Sequence, residues 1–177
     1  MKIPKRQLVC ECGGRLLATT LVRYDFSPYV GFEVILNGMD GLKCNKCGGE
    51  TIPGEMVDQV LIYTVVEIAK QPRRLNSAEA RYLRHSIEAT QEGLATMMGI
   101  IRGTVAKWEA EGGEISVQHD FMLRVFALTK LIAKGILPSD YAKKIMAETF
   151  TSVKREPAED VTIFDVNSAD VARMRYA

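Results

Sequence analysis

Apolar positions follow two different periods along the chain, and the period changes near residue 53. Before it, residues 15–25 (RLLATTLVRYD) and 32–36 (FEVIL) are short runs rich in β-branched and aromatic side chains. Turn formers bound them: Ser27-Pro28 precede the second run and Asn37-Gly38 follow it. Such side chains pack well on a pleated surface and are stiff at χ1, which suits strands better than helices. The stretch therefore predicts two or three short antiparallel strands.

Beyond residue 53, Met56, Val57, Val60, Leu61, Thr64, Val65 and Ile68 recur at the spacing of one helix face. Pro53 suits a first turn, where its missing N–H is not needed, and Pro72 stops the segment. Ile62, Val66 and Ala69 widen the apolar stripe. This helix thus has surface for more than one neighbour: it braces the strands, or it meets a second protein chain. The polar, proline-bearing run Gln71-Pro72-Arg73-Arg74 is the natural boundary between a first region, 1–70, and a helical region, 71–153.

Five helices are predicted in that second region. Asn76-Ser77 cap a helix over 78–87, Thr90 caps a short one ending at Met98, and Gly99 separates it from a third over 102–110. Small hydroxyl and amide side chains accept hydrogen bonds from the first N–H groups of a helix, and glycine takes the left-handed turn that ends one. Gly112-Gly113 stop the third helix, a fourth spans 117–134 ahead of Gly135, and a fifth follows Pro138-Ser139-Asp140 and ends near Val153. In the tail, 154–177, the run Glu156-Pro157-Ala158-Glu159-Asp160 reads as a loop and 161–166 (VTIFDV) as a strand. That strand needs an edge to pair with, in this chain, in a second subunit or in a bound protein.

Composition narrows the function classes. With 177 residues, 47% of them hydrophobic, the chain can build one ordinary domain or two small ones. A formal charge of +1 excludes a polybasic, histone-like protein, so nucleic-acid contact has to come from a local patch. No run approaches the roughly 20 apolar residues of a membrane span. Residues 1–14 (MKIPKRQLVCECGG) lack the apolar core of a signal peptide. The expectation is a cytoplasmic protein with no membrane partner. In that reducing compartment, four cysteines favour metal ligation over structural disulfides.

All four cysteines fall in the first third, as Cys10-Glu11-Cys12-Gly13-Gly14 and Cys44-Asn45-Lys46-Cys47-Gly48-Gly49, a degenerate repeat. Two close pairs, each trailed by Gly-Gly, suit a tetrahedral four-thiolate site. In such a knuckle the backbone turns around the metal with N–H groups aimed at sulfur, and glycine after the second cysteine supplies a positive φ. The pair Cys10-x-Cys12 is one residue shorter than usual, which makes a tighter turn. Four protein ligands leave no position for water, so the expected ion is a structural zinc. A damaged site that has lost tight binding, inert thiols, and redox chemistry at Cys44 and Cys47 are the other readings of these cysteines, and the last has a structural requirement. Redox chemistry would want the pair to open a helix within a βαβ unit, which the pattern lacks. The two histidines, His85 and His119, have no cysteine or paired carboxylate at motif spacing and read as surface or capping residues. Glu109 and Glu111 read as helix-end charges, and there is no nucleotide-binding glycine loop. The chain is not expected to be an enzyme.

Residues 89–113 (ATQEGLATMMGIIRGTVAKWEAEGG) resemble the lambda-repressor-like (XRE) helix-turn-helix, through Thr90-Gln91, Leu94-Ala95, Gly99, Ile100 and Trp108-Glu109. Leu94, Met98, Ile100, Val105 and Trp108 can form the small core that fixes the helix crossing, while Arg102, Gly103, Ala106 and Lys107 face outward. The resemblance implies that the second helix enters the major groove of double-stranded DNA. There Arg102 and Lys107 can donate to guanine O6 and N7, and Gln91 and Thr104 to phosphates. Two positions depart from the pattern: Ile101 stands where a polar cap is usual, and Gly103 where a base-reading side chain is common. Base readout is expected to be thin.

Cysteine pairs ahead of this motif, with Gly38-Met39-Asp40-Gly41-Leu42-Lys43-Cys44-x-x-Cys47 leading into the second pair, are similar to the MqsA/YgiT-type antitoxins of type II toxin-antitoxin systems. The resemblance covers residues from 8 to about 132 and leaves out the last predicted helix and the tail. It implies a homodimer that binds a palindromic operator in its own promoter as a transcriptional repressor, and a zinc domain that holds a partner toxin. The asparagine and arginine with which that family reads bases fall on Gly103 and Lys107, so the same operator is not expected. A stand-alone XRE-type repressor with a structural zinc domain and no toxin is the alternative. The predicted fold class is α+β: a small N-terminal β zinc ribbon with a helix, then an all-α five-helix lambda-repressor-like helix-turn-helix domain.

Overall fold

The strands of the first region, joined by one from the tail, form two small three-stranded sheets in the computed structural model, which describes residues 9–152 and 162–165. The chain runs through β1 (Leu16–Leu21), β2 (Tyr24–Asp25), a helical turn α1 (Ser27–Val30), β3 (Val34–Asn37), β4 (Met39–Cys44) and β5 (Glu50–Thr51). β1 pairs antiparallel with β4, Leu16 opposite Cys44 and Leu21 opposite Met39, and β5 lies on the other edge of β4. In the second sheet β3 is central, antiparallel to β2 and parallel to β6 (Thr162–Asp165). The strand expected in the tail thus pairs within this chain, while the loop expected at 156–160 lies outside the described residues.

β4 has little strand propensity of its own, because Asp40 and Gly41 interrupt it. Its pairing with β1 imposes the extended conformation, and Gly41 is needed there since a Cβ would collide with the Leu21 side chain. α1 replaces a plain turn at Ser27-Pro28: the Ser27 N–H donates to Asp25 Oδ1 at 2.9 Å, and Gly31 ends it at φ 82°.

Seven helices form among the described residues: α1, which the sequence pattern did not announce, and the long α2 (Gly54–Lys70) precede five in the second region, α3 (Ser77–Ser86), α4 (Gln91–Met98), α5 (Arg102–Trp108), α6 (Val117–Ala133) and α7 (Ser139–Ser152). Their ends follow from local chemistry. Asn76 forms a reciprocal capping box with Glu79, Thr90 and Ser116 accept from Gly93 and His119 N–H, and Gly99 ends α4 at φ 68°. No helix among the described residues is long and apolar enough to cross a membrane.

The break in pattern at 71–74 lies against buried polar contacts. Arg124 on α6 is 1% exposed; its Nη1 donates to the carbonyls of Ile68 and Gln71, and its Nη2 to that of Arg73. Asp120 neutralises it and also accepts the Leu75 N–H at 2.6 Å. One buried cation thereby satisfies carbonyls in the last turn of α2 and in the connection that follows it. α2 packs on α3, α6 and α7, so residues 54–70 share the core of the helices that follow. That core is one cluster, running from Leu21, Leu36 and Met39 through Val66 to Leu83, Leu128 and Ile145. A second, very small cluster holds Leu16, Leu42 and Cys44, with Cys10 against it.

Candidate metal centre and candidate nucleic-acid interface

The register that sets Leu16 opposite Cys44 brings the two cysteine loops together at one end of the β1–β4 pair. The first loop closes through Cys10 N–H to the Gly14 carbonyl and Gly13 N–H to the Cys10 carbonyl, both 2.8 Å. The second closes through Cys44 N–H to the Gly49 carbonyl at 2.9 Å and Gly48 N–H to the Cys44 carbonyl at 3.0 Å. These are the same two bonds with one more residue enclosed. The short spacing of Cys10-x-Cys12 is therefore absorbed inside an equivalent turn.

The duplicated glycines have two separate jobs. Gly13 and Gly48 sit at φ 76° and 72°, the left-handed conformation expected after the second cysteine of each pair. Gly14 allows close approach: a Cβ there would stand 2.5 Å from Cys44 Sγ and 2.7 Å from Lys46 Cβ. Cross-links hold the loops in place, with Arg15 N–H on Asn45 Oδ1 (2.8 Å), Asn45 N–H on the Arg15 carbonyl (3.0 Å) and Lys46 Nζ on the Cys12 carbonyl (3.1 Å).

The four sulfurs lie within 4.8 Å of one another. Cys10 and Cys47 are 3.7 Å apart and Cys12 and Cys44 3.5 Å. A disulfide would bring two sulfurs to about 2.05 Å, whereas a tetrahedron with metal–sulfur bonds of about 2.3 Å has edges of about 3.8 Å. The spacing fits four thiolates around one metal ion. The backbone N–H groups of Cys47 and Lys46 bring the Cys44 thiol down to about 6, toward the thiolate a metal needs. β5 follows Cys47 rather than a helix, so the context of a redox pair is missing.

In the middle of the chain, α4 and α5 are joined at Gly99. Leu94, Ala95, Met98, Val105 and Trp108 are buried between them and their neighbours, and Ile100 is half-buried. Arg102, Gly103 and Lys107 are exposed, and Thr104 and Ala106 half-buried. Trp108 stacks at 4.9 Å on His119, whose Nδ1 lies 2.8 Å from the Ser116 hydroxyl, a capping position. His85 is exposed and lies beside Arg84.

One expectation needs correction. Glu109 is not a surface charge at a helix end: it is 3% exposed, and Arg84 grips both its oxygens, Nε at 2.6 Å and Nη2 at 2.9 Å. Gln91, expected as a phosphate donor, donates through Nε2 to Glu109 Oε2 at 3.0 Å. Burial pushes the Glu109 carboxyl up, but Arg84 and Gln91 outweigh it and hold it below the usual range. This network ties α3 and the start of α4 to the end of α5. Sequence reasoning missed it because its members are far apart along the chain and no local period marks them. No family model, curated protein or solved structure matches the chain.

Proposed function

We propose that the chain is a DNA-binding transcriptional regulator whose N-terminal end is held by a structural zinc ion, resembling the MqsA/YgiT-type antitoxins. The observation that carries this reading is the α4–Gly99–α5 pair. One face of α5 is anchored through Val105 and Trp108, and the other presents Arg102 and Lys107 to solvent. A base-reading helix has to be rigid where it meets the protein and cationic where it meets DNA. The Arg84–Glu109–Gln91 network supports the same reading, since it fixes the end of the helix that would lie in the groove. Thr104 and Gln91 border that face as phosphate donors, Gln91 with the amide hydrogen that Glu109 does not take.

Zinc is the metal that four thiolates in a closed tetrahedral site favour, and with no ligand position open the ion would be structural rather than catalytic. The biological effect would then arise from binding alone, without an enzymatic step. A homodimer would place two copies of α5 about 34 Å apart on a palindromic operator. As an antitoxin the chain would hold its toxin through the strand region, where Leu17, Val22 and Tyr29 are exposed. Co-purification with the product of a neighbouring reading frame checks that last point.

The test of the DNA reading is selection of bound duplexes from a random pool at fixed salt. Enrichment of a two-fold symmetric motif is the expected result. Recovery of duplexes with no shared sequence would overturn it.

A further inference from the structure

Position 101 combines two unfavourable choices. Ile101 is the N-cap of α5, at φ −87° and ψ 147°, and gives no capping hydrogen bond, whereas Thr90 and Ser116 cap α4 and α6 through their hydroxyls. It is also 74% exposed, more than any other large apolar side chain among the described residues. A serine there would cap the helix and leave nothing apolar in water. In the free protein the isoleucine therefore loses on both counts, and it gains only when something apolar covers it.

Its surroundings limit what that can be. The side chain lies along the outward face of α5: its Cδ1 is 4.0 Å from where a Cβ on Gly103 would stand, and apart from the adjoining residues and the helix's own backbone nothing else comes within 4 Å of that point. Arg102 and Lys107 are exposed on the same short helix. A protein partner would have to cover these cations along with one aliphatic side chain, and a stable interface needs about 1,200 Å² or more. A DNA base edge needs far less area and accepts hydrogen bonds from such cations. In the major groove, thymine presents a C5-methyl group beside those acceptors, where cytosine has only hydrogen.

We infer that Ile101 reads the C5-methyl of a thymine next to the base contacted by Arg102 or Lys107, and that Gly103 gives the base edge room. The inference rests on the DNA-reading role proposed above and adds a specificity residue to it. The probe is the duplex selected from the random pool, with each thymine replaced in turn by deoxyuridine, which lacks only the methyl. Full-length protein should lose about four-fold in affinity at one thymine per half-site, the change that burial of one methyl corresponds to. Ile101→Ser should bind the thymine and uracil duplexes equally. It should also melt at a higher temperature, because the cap is restored, which shows that the lost discrimination is not lost folding. Indifference of the native protein to every thymine-to-uracil change, on a duplex it selected, overturns the methyl contact and leaves DNA reading intact. Retained methyl sensitivity in Ile101→Ser assigns the contact to another side chain and also overturns it. If the selection yields no motif, the DNA reading falls and this inference falls with it.

Discussion

The cysteine end and the helical body of this chain meet the same entropic cost of folding with different means. Fixing a residue costs about 1–2 kcal/mol of backbone entropy, and a fully buried leucine returns about 1.5–3 kcal/mol. The body meets that cost with a continuous core from Leu21 to Ile145. The cysteine end buries Leu16, Leu42 and Cys44 and little else, yet it must hold two loops in tight left-handed turns. Coordination can make up the difference there, since a structural zinc contributes on the order of 10–16 kcal/mol. The contrast teaches that metal dependence should be local. The groups proposed to meet DNA stand on the helical body, away from the four cysteines.

The largest effect should come from taking the metal away. Chelation, or Cys44→Ser, is expected to abolish hydrogen-exchange protection in the strand pair near the cysteines, β4 and β5 above all, while α3 to α6 keep theirs. Uniform loss across the helices would break the comparison. Next comes Arg124→Ala, which leaves the buried Asp120 charge without its cation and removes the guanidinium donors of the Gln71 and Arg73 carbonyls. Urea unfolding should show a loss of about 3–5 kcal/mol with metal content unchanged. A loss of both would mean the two regions fold as one.

Lys107→Ala sharpens the assignment of roles. It should weaken binding to the preferred duplex by about 1–3 kcal/mol, while stability moves by less than about 0.5 kcal/mol, as for an exposed site. The smallest effect concerns acid. Glu109 has its folded pKa lowered by Arg84 and Gln91, against the opposing push of burial. Its contribution is therefore present above the ordinary carboxylate range and is lost as pH falls through the lowered folded value. Glu109→Gln should flatten that part of the body's stability–pH curve, read by circular dichroism. An unchanged acid limb would mean that the Arg84–Glu109 pair is not formed in solution.

What the sequence made legible was local. Cap residues placed the starts of α3 and α4, the two cysteine-glycine runs foretold Gly13 and Gly48 at positive φ, and periodicity separated Val105 and Trp108 from Arg102 and Lys107. What stayed hidden depends on pairing across the chain. β4 reads poorly as a strand until β1 lies beside it. Glu109 resembles any charge near a helix end until Arg84 is brought to it, and Arg124 resembles any helix-surface cation until the end of α2 turns its carbonyls toward it. Gly14 signals nothing about close approach to Cys44 until the loops meet.

The most direct test of the division between the two regions is the affinity of the full chain for its selected duplex, measured by fluorescence anisotropy at fixed salt with metal bound and after metal removal. The two values should agree within about a factor of three, under 1 kcal/mol, although the cysteine end has lost its order. A loss of ten-fold or more with α3 to α6 still folded would contradict it, because the cysteine end would then be part of the DNA-binding surface or of the dimer that forms it.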